Sequence, residues 1–375
     1  MKKVVIAIDS FKGCLPSAEA GKAAAEGIRS VYPECEVICL PIADGGEGML
    51  DVLIMATNGQ EVPISAHDPL MRWCNTYYGI SENGETAFIE MASISGLPLV
   101  PPERRNPMLT TTYGTGEIIR DALERGCRNF IIGIGGSATN DAGLGMLQAL
   151  GFRFSDKEGK KVGTGCGEVL IKVAHIDSTF VHPALNSCRF TVACDVQNPF
   201  YGPEGAAYVF APQKGADREM VEALDAGLQN FAEVIRHTTG KDISHHPGAG
   251  AAGGMGGSLL AFLNAELKPG IQLMLEALDF SNKIKSADLI ITGEGKADRQ
   301  TLMGKVPSGI LAEARKQNIP VILLAGNIED SDELQQAGFE GVFSVNPPFI
   351  SLEEAMRPEV ACKNIQQTVE SICKK

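Results

Sequence analysis

No run in this chain approaches the roughly 20 consecutive apolar residues that a membrane-spanning helix needs, so a transmembrane protein of that kind is excluded. Positive charge is scarce: 33 Lys and Arg stand against 46 Asp and Glu, a formal net charge of −13, which argues against nucleic acid or an anionic membrane as partner. A small anionic ligand stays open if local lysines, a metal ion or backbone amides reverse the field. The 10 cysteines form no Cys-x-x-Cys pair and no zinc-type cluster with histidine, and they are too sparse for a disulfide scaffold, so reduced, packed thiols are expected. The chain also has no Gly-x-x-x-x-Gly-Lys-Ser/Thr phosphate loop, no protein-kinase motif set and no Gly-x-Ser-x-Gly nucleophile elbow. Repeats and low-complexity segments are missing too. Met1-Lys2-Lys3 leads straight into Val4–Ile8, too short for the apolar region of a signal peptide, and a soluble cytoplasmic protein is the expectation.

What is present is core. Of 375 residues 44% are hydrophobic, and since single cores seldom grow past about 250 to 300 residues, the length calls for two domains. Val4–Ile8 is a short, continuous β-branched run, the mark of a strand covered on both faces. A helix from about Pro16 to Val31, a strand at 37–40 and a helix at 49–56 give βαβα, hence a parallel sheet with right-handed crossovers. After Asn58-Gly59 the texture changes. Strand-like runs at 72–81 and 85–91 flank Glu82-Asn83-Gly84, a strong hairpin signal. Trp73 is expected to pack within that hairpin domain. From 288 the βα alternation returns, so the fold expected is α/β: a Rossmann-like parallel-sheet domain built from both chain ends (1–60 and 284–375) with a second, mixed α/β domain (61–283) inserted.

Each predicted parallel strand ends in polar, charged or glycine residues, and in open α/β sheets ligands bind beyond the carboxyl ends of the strands. Asp9, Ser10 and Lys12, the Asp44 loop, and the 292–299 loop with Glu294 and Asp298 should therefore line one crevice, with the Gly135 loop and Asp195 facing it from the inserted region. Phe130–Gly143 reads as a strand, a turn and a helix starting near Asp141. Its glycines, the hydroxyls of Ser137 and Thr139, and the first helical amides suit a phosphate, although the same residues also serve as ordinary turn and cap. Acidic loops beside glycine-rich ones fit a phosphorylated ligand carried with a divalent cation. Gly248-x-Gly250-x-x-Gly253 matches the dinucleotide fingerprint formally, but it follows His245-His246-Pro247 and not a strand; a glycine-rich helix start against a ligand or another backbone is the better expectation.

Taken together, seven stretches in order resemble the bacterial type I glycerate kinases over essentially the whole chain: 9–12, 43–48, 133–143, 193–199, 248–256, 292–295 and 304–307. Departures are few: Cys14 stands where serine is usual, Met49 where threonine is common, and Lys296-Ala297 replaces arginine and a larger apolar residue. The resemblance implies ATP-dependent phosphorylation of D-glycerate, with ATP and Mg²⁺ as cofactors, 2-phosphoglycerate as the favoured product and in-line transfer in the interdomain cleft. On that basis Asp195 is assigned as base with Asp298 as its alternative, Lys12 as a contact to phosphate or carboxylate, and Asp44 and Glu294 as Mg²⁺ holders. Gly135, Gly136, Ser137, Thr139, Gly254 and Gly256 are assigned to the nucleotide, and Asp9, Ser10, Asn198 and Lys305 to the substrate. The competing expectations are a kinase of a related short hydroxy or sugar acid and a non-catalytic small-acid binding protein.

Overall fold

The computed structural model describes residues 1–46 and 48–374; Glu47, part of the Asp44 motif, lies outside the described residues. The chain divides into two compact units, Met1–Asp44 with Ile271–Lys375, and Gly45–Gly270. Both divisions fall earlier than the 60/61 and 283/284 boundaries read from texture. The helix Met49–Ala56 continues the βα alternation in sequence, yet it packs on Trp73–Ile80 and Thr86–Glu90. Its Leu50 and Ile54 fill the space over Gly79, where an added Cβ would meet Ile54 Cγ1 at 2.6 Å. At the other boundary Ile271 covers Gly309, which draws its helix into the first unit.

The first unit is a five-stranded, wholly parallel sheet of β1 (Lys3–Ile8), β2 (Glu36–Cys39), β3 (Leu289–Ala297), β4 (Val321–Ile328) and β5 (Gly341–Ser344), in the order β5-β4-β3-β1-β2. Val4 through Ile8 are buried on both faces, as their unbroken apolar run requires. Helix Ser17–Val31 lays Ala20, Ala24 and Ile28 against Val4, Ile6 and Ile8, and Ile365 and Val369 of helix Pro358–Cys373 join the same cluster. Gly27 lets these two helices approach: a Cβ there would sit 2.5 Å from the Gln366 carbonyl oxygen. The sheet is doubly wound, with its order reversing between β1 and β3, and such a switch point is where the carboxyl ends of strands open a crevice.

The second unit holds a six-stranded mixed sheet, in the order Glu266–Lys268, Arg189–Ala193, Asn129–Gly133, Thr86–Glu90, Trp73–Ile80, Gln60–His67. The first four strands run parallel and the last two are antiparallel additions. The hairpin expected around Asn83-Gly84 is present, with Gly84 at φ +74°, a conformation glycine adopts without steric cost. Trp73 departs from expectation: it is 70% exposed, its ring lying 4.1 Å from that of His67, because position 73 is the first residue of its strand and pairs only with His67, while Thr86–Glu90 pairs with the far end at Gly79 and Ile80. Among the described residues all 10 cysteines are free thiols, and no helix is long and apolar enough to cross a membrane.

Candidate functional site

In the first unit the switch point brings acidic groups together. Ile8 pairs with Gly293 across β1 and β3, and the Asp9 amide donates to the Gly293 carbonyl at 2.9 Å, which sets Asp9 at the strand end beside Glu294. Asp9 is 7% exposed, and its Oδ1 accepts the Ser10 amide at 2.7 Å. Burial, then the Asp44 charge, lift its carboxyl to about 7, against the opposing pull of the Ser10 amide and Lys12; Glu294 adds a smaller upward push. Glu294 accepts the Thr301 hydroxyl at 2.6 Å and Lys305 Nζ at 3.3 Å, yet burial still holds its carboxyl above the ordinary range. Asp9, Ser10, Lys12, Asp44, Glu294 and Lys305 line a cavity of about 320 Å³.

Asp298 has another occupation. β3 runs on to Ala297, beyond the strand end read from sequence, and Asp298 then caps the turn Arg299–Leu302 by accepting the Gln300 amide at 2.8 Å. Desolvation pushes its carboxyl up, but the Gln300 amide and the Lys305 and Lys296 charges outweigh that and leave it below the usual range. It is not on the cavity wall. Lys296 spends its charge on Glu329, at 3.0 Å, and on Asp298.

In the second unit the turn after Asn129–Gly133 differs from expectation in one decisive respect. The helix begins at Leu144, after Gly143 at φ +73°, and Asp141 is wholly buried behind it. The Asp141 carboxylate accepts the Thr112 amide (2.8 Å) and hydroxyl (2.7 Å) and the amides of Gly143 and Gly145 (3.2 Å each). The Met146 amide goes to Thr112 Oγ1 at 2.9 Å. The first amides of this helix are therefore taken up within the protein, Leu144 by the Asp141 carbonyl at 2.8 Å, Gly145 by the Asp141 carboxylate and Met146 by Thr112. What remains open is the turn itself: Gly135, Gly136 and Ser137 line a cavity of about 280 Å³ together with Asp195, Gln213 and Lys214.

Other expected contacts sit elsewhere. Thr139 is fully buried, and its hydroxyl has no partner among the described residues. Gly254 stands at φ +90° over Leu228 and Phe200, and a Cβ on Gly256 would lie 2.3 Å from the Gly248 carbonyl oxygen, so these glycines allow close packing, and neither is on the wall of the Gly135 cavity. Asn198 donates to the Glu204 carbonyl at 2.7 Å and accepts the Gly250 amide, shaping its loop. Asp195 Oδ1 accepts the Gly270 amide at 2.8 Å. Lys214 and Gln213 belong to no motif in the sequence, since a Pro-Gln-Lys-Gly turn carries no functional signature.

A glycerate kinase family profile matches residues 4–375. The chain belongs to the glycerate kinase family. It is 46% identical over 371 residues to the glycerate kinase of Bacillus subtilis (strain 168), covering 99% of this chain and 96% of that one. It is 47% identical over 356 residues to the glycerate 2-kinase of Escherichia coli (strain K12), covering 95% and 93%. A crystal structure from Salmonella typhimurium LT2, of a protein provisionally designated glycerate kinase 2, superposes with a TM-score of 0.91 at 44% identity, covering 100% of this chain and 97% of that one. The fold is α/β, with one parallel sheet, one mixed sheet and a small two-stranded antiparallel sheet of Arg153–Ser155 and His175–Asp177. Among the described residues of this family member, no three His, Cys, Asp or Glu side chains are grouped to hold a metal ion. That is compatible with Mg²⁺, which keeps several waters and is usually bound by one or two carboxylates plus substrate phosphates, a set that Asp44 and Glu294 could complete.

Proposed function

We propose that the protein phosphorylates D-glycerate at the expense of ATP and yields 2-phospho-D-glycerate. The observation that carries this is the full-length likeness to enzymes named glycerate kinase, one of them a 2-kinase. D-Glycerate occupies the cavity at the β1/β3 switch point, where Lys12 and Lys305 supply positive charge for its carboxylate. Asp9 accepts the proton of the attacking hydroxyl. A general base works best with its pKa near the operating pH, and the Asp9 carboxyl, raised to about 7, meets that condition better than the capped and lowered Asp298. Asp9 therefore takes the role first given to Asp195, which lines the cavity of the second unit.

The nucleotide phosphates occupy that second cavity, on the Gly135-Gly136-Ser137 turn, with Asp195 beside them. Phosphoryl transfer asks a protein for alignment and for neutralisation of charge on the moving group more than for covalent chemistry. Mg²⁺, held by Asp44 and Glu294 directly or through water, would supply part of that neutralisation.

The test is incubation with ATP, Mg²⁺ and D-glycerate, following ADP and taking a phosphorus NMR spectrum of the product. ADP and the 2-phosphate are expected. A 3-phosphate would overturn the regiochemistry; ADP with another short hydroxy acid but not with glycerate would overturn the substrate, and binding of both ligands without turnover would make the protein a binder.

A further inference from the structure

Lys214 is a buried ammonium that the mechanism above does not use. It ends the short turn Pro212–Lys214, and Gly215 follows at φ +96°, pressed so closely on Arg105 that an added Cβ would sit 2.4 Å from the Arg105 carbonyl oxygen. The side chain is 2% exposed, and its Nζ donates to Ser137 Oγ and to the Thr139 carbonyl, each at 2.7 Å. Both partners are neutral. An ammonium has three N–H donors, so one is left after these two bonds, and Lys214 lies on the cavity wall beside Gly135 and Gly136.

The turn itself is rich in donors, and the carboxylate on the same wall, Asp195, accepts the Gly270 amide through Oδ1. The amides of Gly135 and Gly136 make no hydrogen bond within the described residues. Ser137 Oγ accepts from Lys214, which leaves its own proton to be donated. A Cβ placed on Gly135 would touch nothing within 4 Å, so the space above the turn is clear. Keeping a positive charge out of water without a paired carboxylate is costly. Desolvation accordingly pulls the Lys214 ammonium down to about 7, the charge of Asp141 opposing. An anion delivered to the turn would repay that cost.

We infer that Lys214 is a binding residue for the phosphoryl donor, holding a phosphate oxygen on the Gly135–Ser137 turn. The inference rests on the assignment of the nucleotide phosphates to this cavity. The chemistry it needs is an anionic oxygen, which the carboxylate of D-glycerate could also supply, so both ligands have to be tried.

The decisive variant is Lys214→Gln, whose amide can still donate to Ser137 and Thr139 while carrying no charge; Lys214→Met removes charge and bonds together. Gly135→Val fills the space above the turn and leaves Lys214 intact. Affinities for a non-hydrolysable ATP analogue with Mg²⁺, and separately for D-glycerate, are measured by calorimetry on each folded variant. Lys214→Gln should weaken the analogue by at least about tenfold, the range for hydrogen bonds to charged groups, with D-glycerate unchanged. If Gln retains the affinity and Met loses it, Lys214 is a structural latch and the inference is overturned. A loss confined to D-glycerate overturns it in favour of the acceptor carboxylate. If Gly135→Val weakens the analogue and Lys214→Gln does not, the phosphate site stands without Lys214. If neither has an effect, the phosphate site itself is wrong.

Discussion

Replacing Asp9 by asparagine keeps the shape of the side chain and an oxygen for the Ser10 amide, and removes the ionisation. Folding raises that carboxyl from 3.8 to about 7, first by burial and then by the charge of Asp44. A carboxyl whose pKa is raised holds its proton more tightly in the native than in the unfolded chain. The native state thus loses stability as pH climbs from about 4 to about 7, and the loss is complete above that window and absent below it. At 1.36 kcal/mol per pH unit the difference comes to about 4 kcal/mol at most. Asp44 and Glu294 share the same field and relax when Asp9 is neutralised, so a gain of about 2 to 4 kcal/mol is expected for Asp9→Asn at pH 8. At pH 4 and below the variant and the parent should be equal.

Urea unfolding of the two proteins at pH 4, 6 and 8, followed by circular dichroism, reads this directly. The same substitution should lower turnover by about 10² to 10⁴, the usual share of a general base. The parent's kcat/KM should show an acid limb near pH 7 that Asp9→Asn abolishes. Without Mg²⁺, Asp44→Asn should shrink the stability lost between about pH 4 and 7, because it removes the largest charge that raises Asp9. An Asp9→Asn protein no more stable than the parent at pH 8, or one that keeps the limb, would refute the reasoning.

Asp141→Ala should cost about 3 to 5 kcal/mol in urea unfolding, since it strands donors of Thr112, Gly143 and Gly145 in the core; a cost under about 1 kcal/mol would show that they find other partners. Gly254→Ala should lower the melting temperature, for the left-handed backbone costs about 1 to 2 kcal/mol and the new Cβ meets Leu228 and Phe200 at 2.9 and 3.0 Å. Its affinity for an ATP analogue should stay as in the parent; lost affinity with unchanged melting would put Gly254 back in a phosphate cradle. Asp298→Ala should cost about 1 kcal/mol as a lost cap and leave the acid limb of the rate profile in place. Disappearance of that limb would make Asp298 the base.

The two sheets were legible because their strands are patterned locally. The unbroken apolar run Val4–Ile8 could only be a strand buried on both faces, and Asn83-Gly84 between two alternating runs could only turn back on itself. The boundaries were less legible for a physical reason. Helix Met49–Ala56 follows a strand as any crossover helix does, and what assigns it to the other unit is the notch at Gly79, which appears only once Trp73–Ile80 has paired. Likewise the sequence marked Asp9 as a ligand contact, but its likeness to a base depends on how deeply the β1/β3 switch point buries it and on Asp44 arriving from a different loop.

The Gly133–Gly143 stretch shows where local chemistry stops deciding. Glycine, serine and aspartate before a helix have the same pattern whether the helix amides face an anion or the chain's own carboxylate. Here Asp141 and Thr112 take them, and Thr112, 29 residues earlier, supplies two of the bonds that hold Asp141. A helix end already satisfied by a buried anion has little positive potential left for a second one. The positive charge available to the turn has to come from elsewhere, and Lys214, reaching Ser137 across 77 residues of sequence, is the ammonium placed to provide it. On the proposed assignment Asp141 and Lys214 have complementary parts: Asp141 and Thr112 occupy the helix amides, and the lysine, whose charge Asp141 helps to sustain, supplies the positive charge for an anion on Gly135–Ser137.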